Sequence, residues 1–204
     1  MLGSCHRKIK HRIEAMAQGE VFCISDFEEI ANAKTVSKNL TRLCEDGIIE
    51  RVTRGVFWKP QNDAVSPHPD KIARALARSN TWRVAPSGDT ALHLFGLRKD
   101  RPGVWTYITD GTYRDYEIAG TKIIFQHASG KALGTMSEKA ATLVQVLKAY
   151  GKPRLSEETL HKIRRKLKPC EFKPLLEETK NSPAWICKAI QTMLYRTKKK
   201  RETV

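Results

Sequence analysis

The sequence predicts an α+β protein, and three observations carry the prediction. Apolar residues recur at helical spacing through several segments. Short β-branched and aromatic runs, some alternating with polar residues, are joined by Gly-containing turns. The strand-like runs fall in two separate regions of a chain of 204 residues, which is long enough for two small cores.

Residues 8–17 set Ile9, Ile13 and Met16 on one stripe of a helix that Gly19 stops. Val21 to Ile24 is a short apolar strand. The sequence "SDFE" that follows has the form of a capping box, with Ser25 and Glu28 as its two ends, and predicts a short second helix through Phe27, Ile30 and Ala31. Thr35 is placed to cap a third helix, Thr35 to Asp46, in which Val36, Leu40, Leu43 and Cys44 share one side and Gly47 follows the end. Its other side carries Ser37, Lys38, Thr41 and Arg42, a mixture of hydroxyls and cations suited to phosphates and base edges. "IIERV" and "VFW" then flank Thr53, Arg54 and Gly55 as a tight hairpin, and Pro60 ends the second strand. Helix, strand, short helix, turn, longer helix and hairpin is the order of a winged helix-turn-helix, so residues 1–60 are expected to form a DNA-binding domain. Thr35, Ser37, Lys38, Thr41 and Arg42 lie on its reading helix, and Arg51, Arg54 and Lys59 on its wing.

Residues 61–69, rich in Pro, Asn, Asp and Ser, are expected to be a linker. A second α+β domain is expected over 70–151. It begins with a helix through Ile72, Ala73, Leu76 and Ala77, continues with a strand at Trp82 to Ala85, and has a helix started by Ser87 and stopped by Gly96. "VWTYIT", "YRDYEIAG" and "TKIIFQHA" predict a three-stranded antiparallel meander, and "MSEKAATLVQVLKAYG" a helix capped by Ser137. Residues 152–196 are expected to be a basic helical region with caps at Ser156 and Ser182, and 197–204 a disordered basic tail.

The chain carries 37 Lys and Arg against 22 Asp and Glu, a net charge of +15, which favours a polyanionic partner. The excess is +2 over residues 1–60, +4 over 61–151 and +9 over 152–204, so the cluster Lys162, Arg164, Arg165, Lys166 and Lys168 is a candidate phosphate-contacting surface, with a solvated helix face as the alternative. No apolar run approaches the roughly 20 residues of a membrane span, and no signal peptide is recognisable, so a cytoplasmic protein that contacts no membrane is expected. Five widely spaced cysteines fit neither a disulfide framework nor a metal site. Asp115 and Glu117 lack the lysine that a restriction-type nuclease would place at Ala119. His93 sits among apolar helix residues and His127 has no evident partner. Neither a catalytic site nor a cofactor is therefore expected.

The segments "TVSKNLTRLCEDGIIERVTRGVFWKP", "PSGDTALHLFGL" and "VWTYITDGTYRDYEIAGTKIIFQHA" together resemble the abortive-infection (AbiE-type) antitoxins and their bacterial relatives, over roughly residues 7–150. The resemblance implies a transcription regulator that represses its own operon by binding an inverted repeat in double-stranded promoter DNA, as two copies, and that counters a nucleotidyltransferase-like toxin in the type IV manner, without a stable complex. It implies Ser37, Lys38, Thr41 and Arg42 as the reading face, with Arg51, Arg54 and Lys59 as wing contacts, and a structural role for "SGDTAL". A different class of function fits the same elements: an interaction module that binds a toxin or RNA, with the first domain as scaffold.

Overall fold

Val21–Cys23 and Val56–Trp58 are apolar at every position and wholly buried. Successive strand residues face opposite ways, so a sheet built from these segments needs cover on both faces. The computed structural model describes residues 2–61, 66–128, 133–134 and 136–199, and it is α+β, with eight α-helices and two small sheets among those residues. The chain divides into two compact units, Met1–Arg83 with Tyr116–Ile123, and Val84–Asp115 with Ile124–Val204.

In the first unit, α1 (Leu2–Ala15) leads into β1 (Val21–Cys23), a single 3-10 turn (Ile24–Phe27), α2 (Ala33–Glu45) and a hairpin of β2 (Glu50–Thr53) and β3 (Val56–Trp58). The strand order is β1-β3-β2, antiparallel throughout, with Phe22 opposite Phe57 and Arg51 opposite Phe57 on its other side. Ile9 and Ile13 of α1, Val36, Leu40 and Leu43 of α2, and Phe22, Phe27, Ile49 and Phe57 form one buried cluster. Alternation turns Val21, Cys23, Val56 and Trp58 to the opposite face, where α3 (Pro69–Ser79) packs on β1 and β3 through a side rich in Ile72, Ala73, Leu76 and Ala77. α3 thus belongs with the first sheet, whereas the sequence expectation joined residues 70–79 to the second domain; residues 62–65 of the expected linker lie outside the described residues.

Two cations fasten α3. Lys71 donates to the Gly19 carbonyl at 2.8 Å and reaches Glu20 at 3.4 Å. Arg78 donates to the Val21 carbonyl at 3.1 Å and to both oxygens of Asp26, at 2.9 and 3.0 Å. Asp26 also accepts the Cys23 amide at 2.9 Å. This explains a departure from the sequence reading: Asp26 caps the turn that Ser25 and Glu28 were expected to cap, and the second helix is only a 3-10 turn with Phe27 buried and Ile30 half-buried. The N-cap of α2 is likewise Asn32, which accepts the Thr35 amide at 3.0 Å, so Thr35 lies within the first turn and does not cap it.

The second unit is organised on α5 (Glu138–Tyr150), buried at Ala140, Ala141, Leu143, Val144, Val146 and Leu147 and so covered on nearly every side. Ser137 caps it, accepting the Ala140 amide at 3.3 Å. Its core is shared with α4 (Gly88–Leu94), α6 (Glu157–Arg165), α7 (Phe172–Glu178) and α8 (Ala184–Lys199). Ser87 precedes α4 without a side-chain cap bond, and its amide donates to the Thr106 carbonyl at 2.9 Å. The second sheet joins β4 (Val84–Pro86), β5 (Val104–Thr109), β6 (Arg114–Ile118) and β7 (Thr121–His127) in the order β4-β5-β7-β6. The expected meander would have set β6 in the middle. β7 takes that place because Ile123 and Phe125 are fully buried, while β6 buries no residue completely and suits an edge. α8 runs to Lys199, so part of the expected tail is helical, and 200–204 lie outside the described residues.

Burial raises the Asp26 carboxyl, but the Arg78 guanidinium and the Cys23 amide outweigh it and hold its pKa below the ordinary value. A depressed carboxylate stabilises the fold above its unfolded-state pKa and loses that contribution as the pH falls through the folded value. The urea midpoint should therefore drop as the pH is lowered below about 4. Asp26→Asn should lower stability by about 1–3 kcal/mol at pH 7 and flatten this acid limb; an acid limb identical to wild type would remove the pair from that role.

Candidate nucleic-acid interface

The inner side of α2 is fixed by Val36, Leu40 and Leu43, all fully buried, and by Asn39, whose amide donates to the Thr35 carbonyl at 2.8 Å while its oxygen meets His6 Nδ1 at 3.1 Å. With that side occupied, Lys34, Lys38 and Arg42, spaced at i, i+4 and i+8, line the exposed one. Their side chains have no hydrogen-bond or ion-pair partner among the described residues. Lys34 falls outside the expected reading face because it precedes Thr35, where the sequence places the start of the helix, whereas α2 begins at Ala33.

Beside this stripe stands the hairpin. Gly55 at its turn has φ +78°, which a side chain rarely adopts, and its carbonyl accepts the Ile24 amide at 3.2 Å. The turn is thereby tied to the 3-10 segment and leaves Arg54 exposed, again without a partner among the described residues. Arg51 reaches back to α2, donating from Nη2 to Thr41 Oγ1 at 3.3 Å, with its guanidinium 5.3 Å from the Phe57 ring centre. Thr41 is half-buried and donates its own proton to the Ser37 carbonyl at 3.0 Å.

Lys59 does not join this face. Its ammonium sits on the carbonyls of Glu14 and Met16, at 2.7 and 2.8 Å, where it closes the carboxyl end of α1. The expected wing contact is thus a helix cap, a role that only tertiary folding could reveal because the partners lie more than forty residues apart in sequence.

Four of the acidic side chains of residues 1–60 are held elsewhere, while Glu28 is exposed. Glu29 pairs with Arg12, Glu20 with Lys71, Asp26 with Arg78, and Glu50 accepts the Trp58 indole at 3.0 Å. Glu45 and Asp46 are exposed at the end of α2 and bound the cationic stripe.

In the second unit, α6 turns Leu160 and Ile163 toward the core, where Leu167 joins them, and leaves Lys162 and Arg165 exposed and Arg164 half-buried; Lys166 and Lys168, just past its end, are also exposed. Lys162 pairs with Glu158 at 2.7 Å, so its charge is partly answered within the helix. His93 meets Trp105 edge-on at 5.7 Å and is part of the packing, and its Nδ1 is the one buried side-chain nitrogen or oxygen without a partner among the described residues. The described residues hold no group of three or more His, Cys, Asp or Glu arranged for a metal ion, and no helix long and apolar enough to cross a membrane.

The geometry thus defines an α+β protein with a cationic face made from one helix and one hairpin. Residues 8–175 match the model of a family of unknown function, DUF6088, and the chain belongs to that family. No curated protein matches it.

Lys59→Met should cost about 1–3 kcal/mol of stability, as two charge-assisted hydrogen bonds to a helix end are lost. Urea unfolding checks this, and a midpoint equal to that of wild type would return Lys59 to the list of free surface cations.

Proposed function

We propose that the chain is a winged-helix transcription regulator that binds double-stranded DNA, with α2 in the major groove and the β2–β3 turn beside the flanking backbone. The observation that supports this best is the exposed stripe Lys34, Lys38 and Arg42, which meets a carboxylate only at Glu45 in the last turn of α2 and has Arg51 of the hairpin beside it. Cations on the outer side of a helix suit the acceptors of guanine edges and phosphates. A single α2 reads only one half-site, so an inverted repeat bound by two copies is the natural target.

The resemblance to the AbiE-type antitoxins extends the reading to an autorepressing antitoxin of a type IV system, paired with a nucleotidyltransferase-like toxin. The cations Arg165, Lys166 and Lys168, at and just past the end of α6, are proposed as further phosphate contacts.

Two measurements test the reading. Lys38→Ala or Arg42→Ala should weaken binding to the promoter of the chain's own operon by about 1–3 kcal/mol if each reads a base edge. Both variants retaining wild-type affinity in an electrophoretic shift assay would sink the assignment. For α6, truncating residues 152–204 would remove Ile163, Phe172, Ile186 and Ile190 from the core, so neutral substitutions serve better. Changing Arg165, Lys166 and Lys168 together to Gln should lower the slope of log affinity against log salt by about 2–3, and an unaltered slope would assign those side chains to solvent.

A further inference from the structure

Phe22, Phe57 and Arg51 form one row across the three strands of the first sheet, because Phe57 lies directly opposite Phe22 on β1 and Arg51 on β2. Side chains opposite one another on adjacent strands share a face. The guanidinium therefore falls over the Phe57 ring, 5.3 Å from its centre, just as the Phe22 ring stacks on Phe57 at 6.3 Å on the other side. α2 covers the same face, and Thr41 meets the guanidinium from above at 3.3 Å.

The proton inventory then fixes what each group can do. Thr41 donates its only hydroxyl proton to the Ser37 carbonyl, so toward Arg51 it acts as an acceptor and has no proton left for a phosphate or base. Arg51 has five N–H donors, of which one is directed at Thr41. The four others have no acceptor among the described residues, and the residue is exposed. Arg51 is thus oriented from two directions before any ligand arrives, unlike Lys38, Arg42 and Arg54, whose side chains have no such partners.

We propose that Arg51 is a preformed fork that grips one backbone phosphate through two parallel N–H bonds, and that Thr41, with Phe57 beneath, is its positioning residue. The proposal rests on the DNA-binding reading above and changes the part Thr41 plays in it: the hydroxyl expected to face the duplex aims a guanidinium instead. A lysine cannot replace this arrangement, since an ammonium is a point charge with neither a fork nor a plane to lay on the ring.

The experiment measures affinity and its salt dependence by fluorescence anisotropy, on the full chain and a labelled duplex carrying the region upstream of its gene. Arg51→Lys keeps the charge and should still lose affinity on the order of tenfold. Arg51→Gln should lose at least as much and lower the salt slope by about 1. Thr41→Ser should bind within about twofold of wild type, whereas Thr41→Val should lose severalfold with its salt slope intact, as expected for a group that aims the fork without touching phosphate. If wild type binds while Arg51→Lys and Thr41→Val bind equally well, the fork is overturned and the DNA reading stands. If wild type binds no duplex, both fall together. Should Thr41→Val lower the thermal midpoint, the folded pair Thr41→Ser and Arg51→Lys decides the matter.

Discussion

The first unit depends on the burial of β3 on both faces. Val56, Phe57 and Trp58 are at most 3% exposed in the middle of a three-stranded sheet. Each such side chain contributes about 1.5–3 kcal/mol relative to an exposed one, so this short strand accounts for a sum comparable to the whole stability of a small domain. Two apolar faces require two covers, and the chain supplies α1 with α2 on one and α3 on the other. The hairpin is accordingly no loose ribbon. Its second strand is the centre of a packed layer, and only β2 and the turn remain at the margin.

That same register distributes charge. Arg51 and Glu50 are neighbours on β2, one opposite Phe57 and the other opposite Trp58. Alternation therefore sends the cation to the face covered by α2 and the anion to the face covered by α3, where it accepts the indole N–H of Trp58. A slip of one residue would exchange them, setting a carboxylate against Thr41 and leaving the indole unsatisfied. The bulge between Arg51 and Thr53 absorbs the extra residue before the turn and leaves this pairing intact. The cationic face is thus a consequence of core packing as much as of surface composition.

Much of this was legible in the sequence where a local pattern carried it. The apolar stripe of α2, the Arg54-Gly55 turn, the cap at Ser137 and the α+β class all follow from spacing and turn chemistry. What escaped was what distant contacts decide. The stretch at Ser25 to Glu28 has the form of a capping box, yet Arg78, some fifty residues on, recruits Asp26 and stabilises a tighter turn. α3 reads as an amphipathic helix wherever it docks, and only the doubly apolar strands, had their need for a second cover been counted, pointed to the first sheet. The place of β7 between β5 and β6 turned on which strand buries more, and alternating patterns in all three concealed it.

Charge gives the last step. A balance of +2 over the first sixty residues is small for a surface expected to meet a polyanion, but net charge counts every group wherever it points. Here Glu29, Glu20, Asp26 and Glu50 are engaged by Arg12, Lys71, Arg78 and the Trp58 indole. Lys71 and Arg78 come from beyond residue 60, so the count over the first sixty includes two anions without their partners. Lys34, Lys38 and Arg42 of α2 are left without an ion-pair partner among the described residues, and Glu45 and Asp46 follow them only at the end of the helix. The segment's sum therefore understates the positive charge presented on that side of α2. Two of the acidic residues that seemed to dilute it, Glu20 and Asp26, are the ones that hold α3 on the sheet.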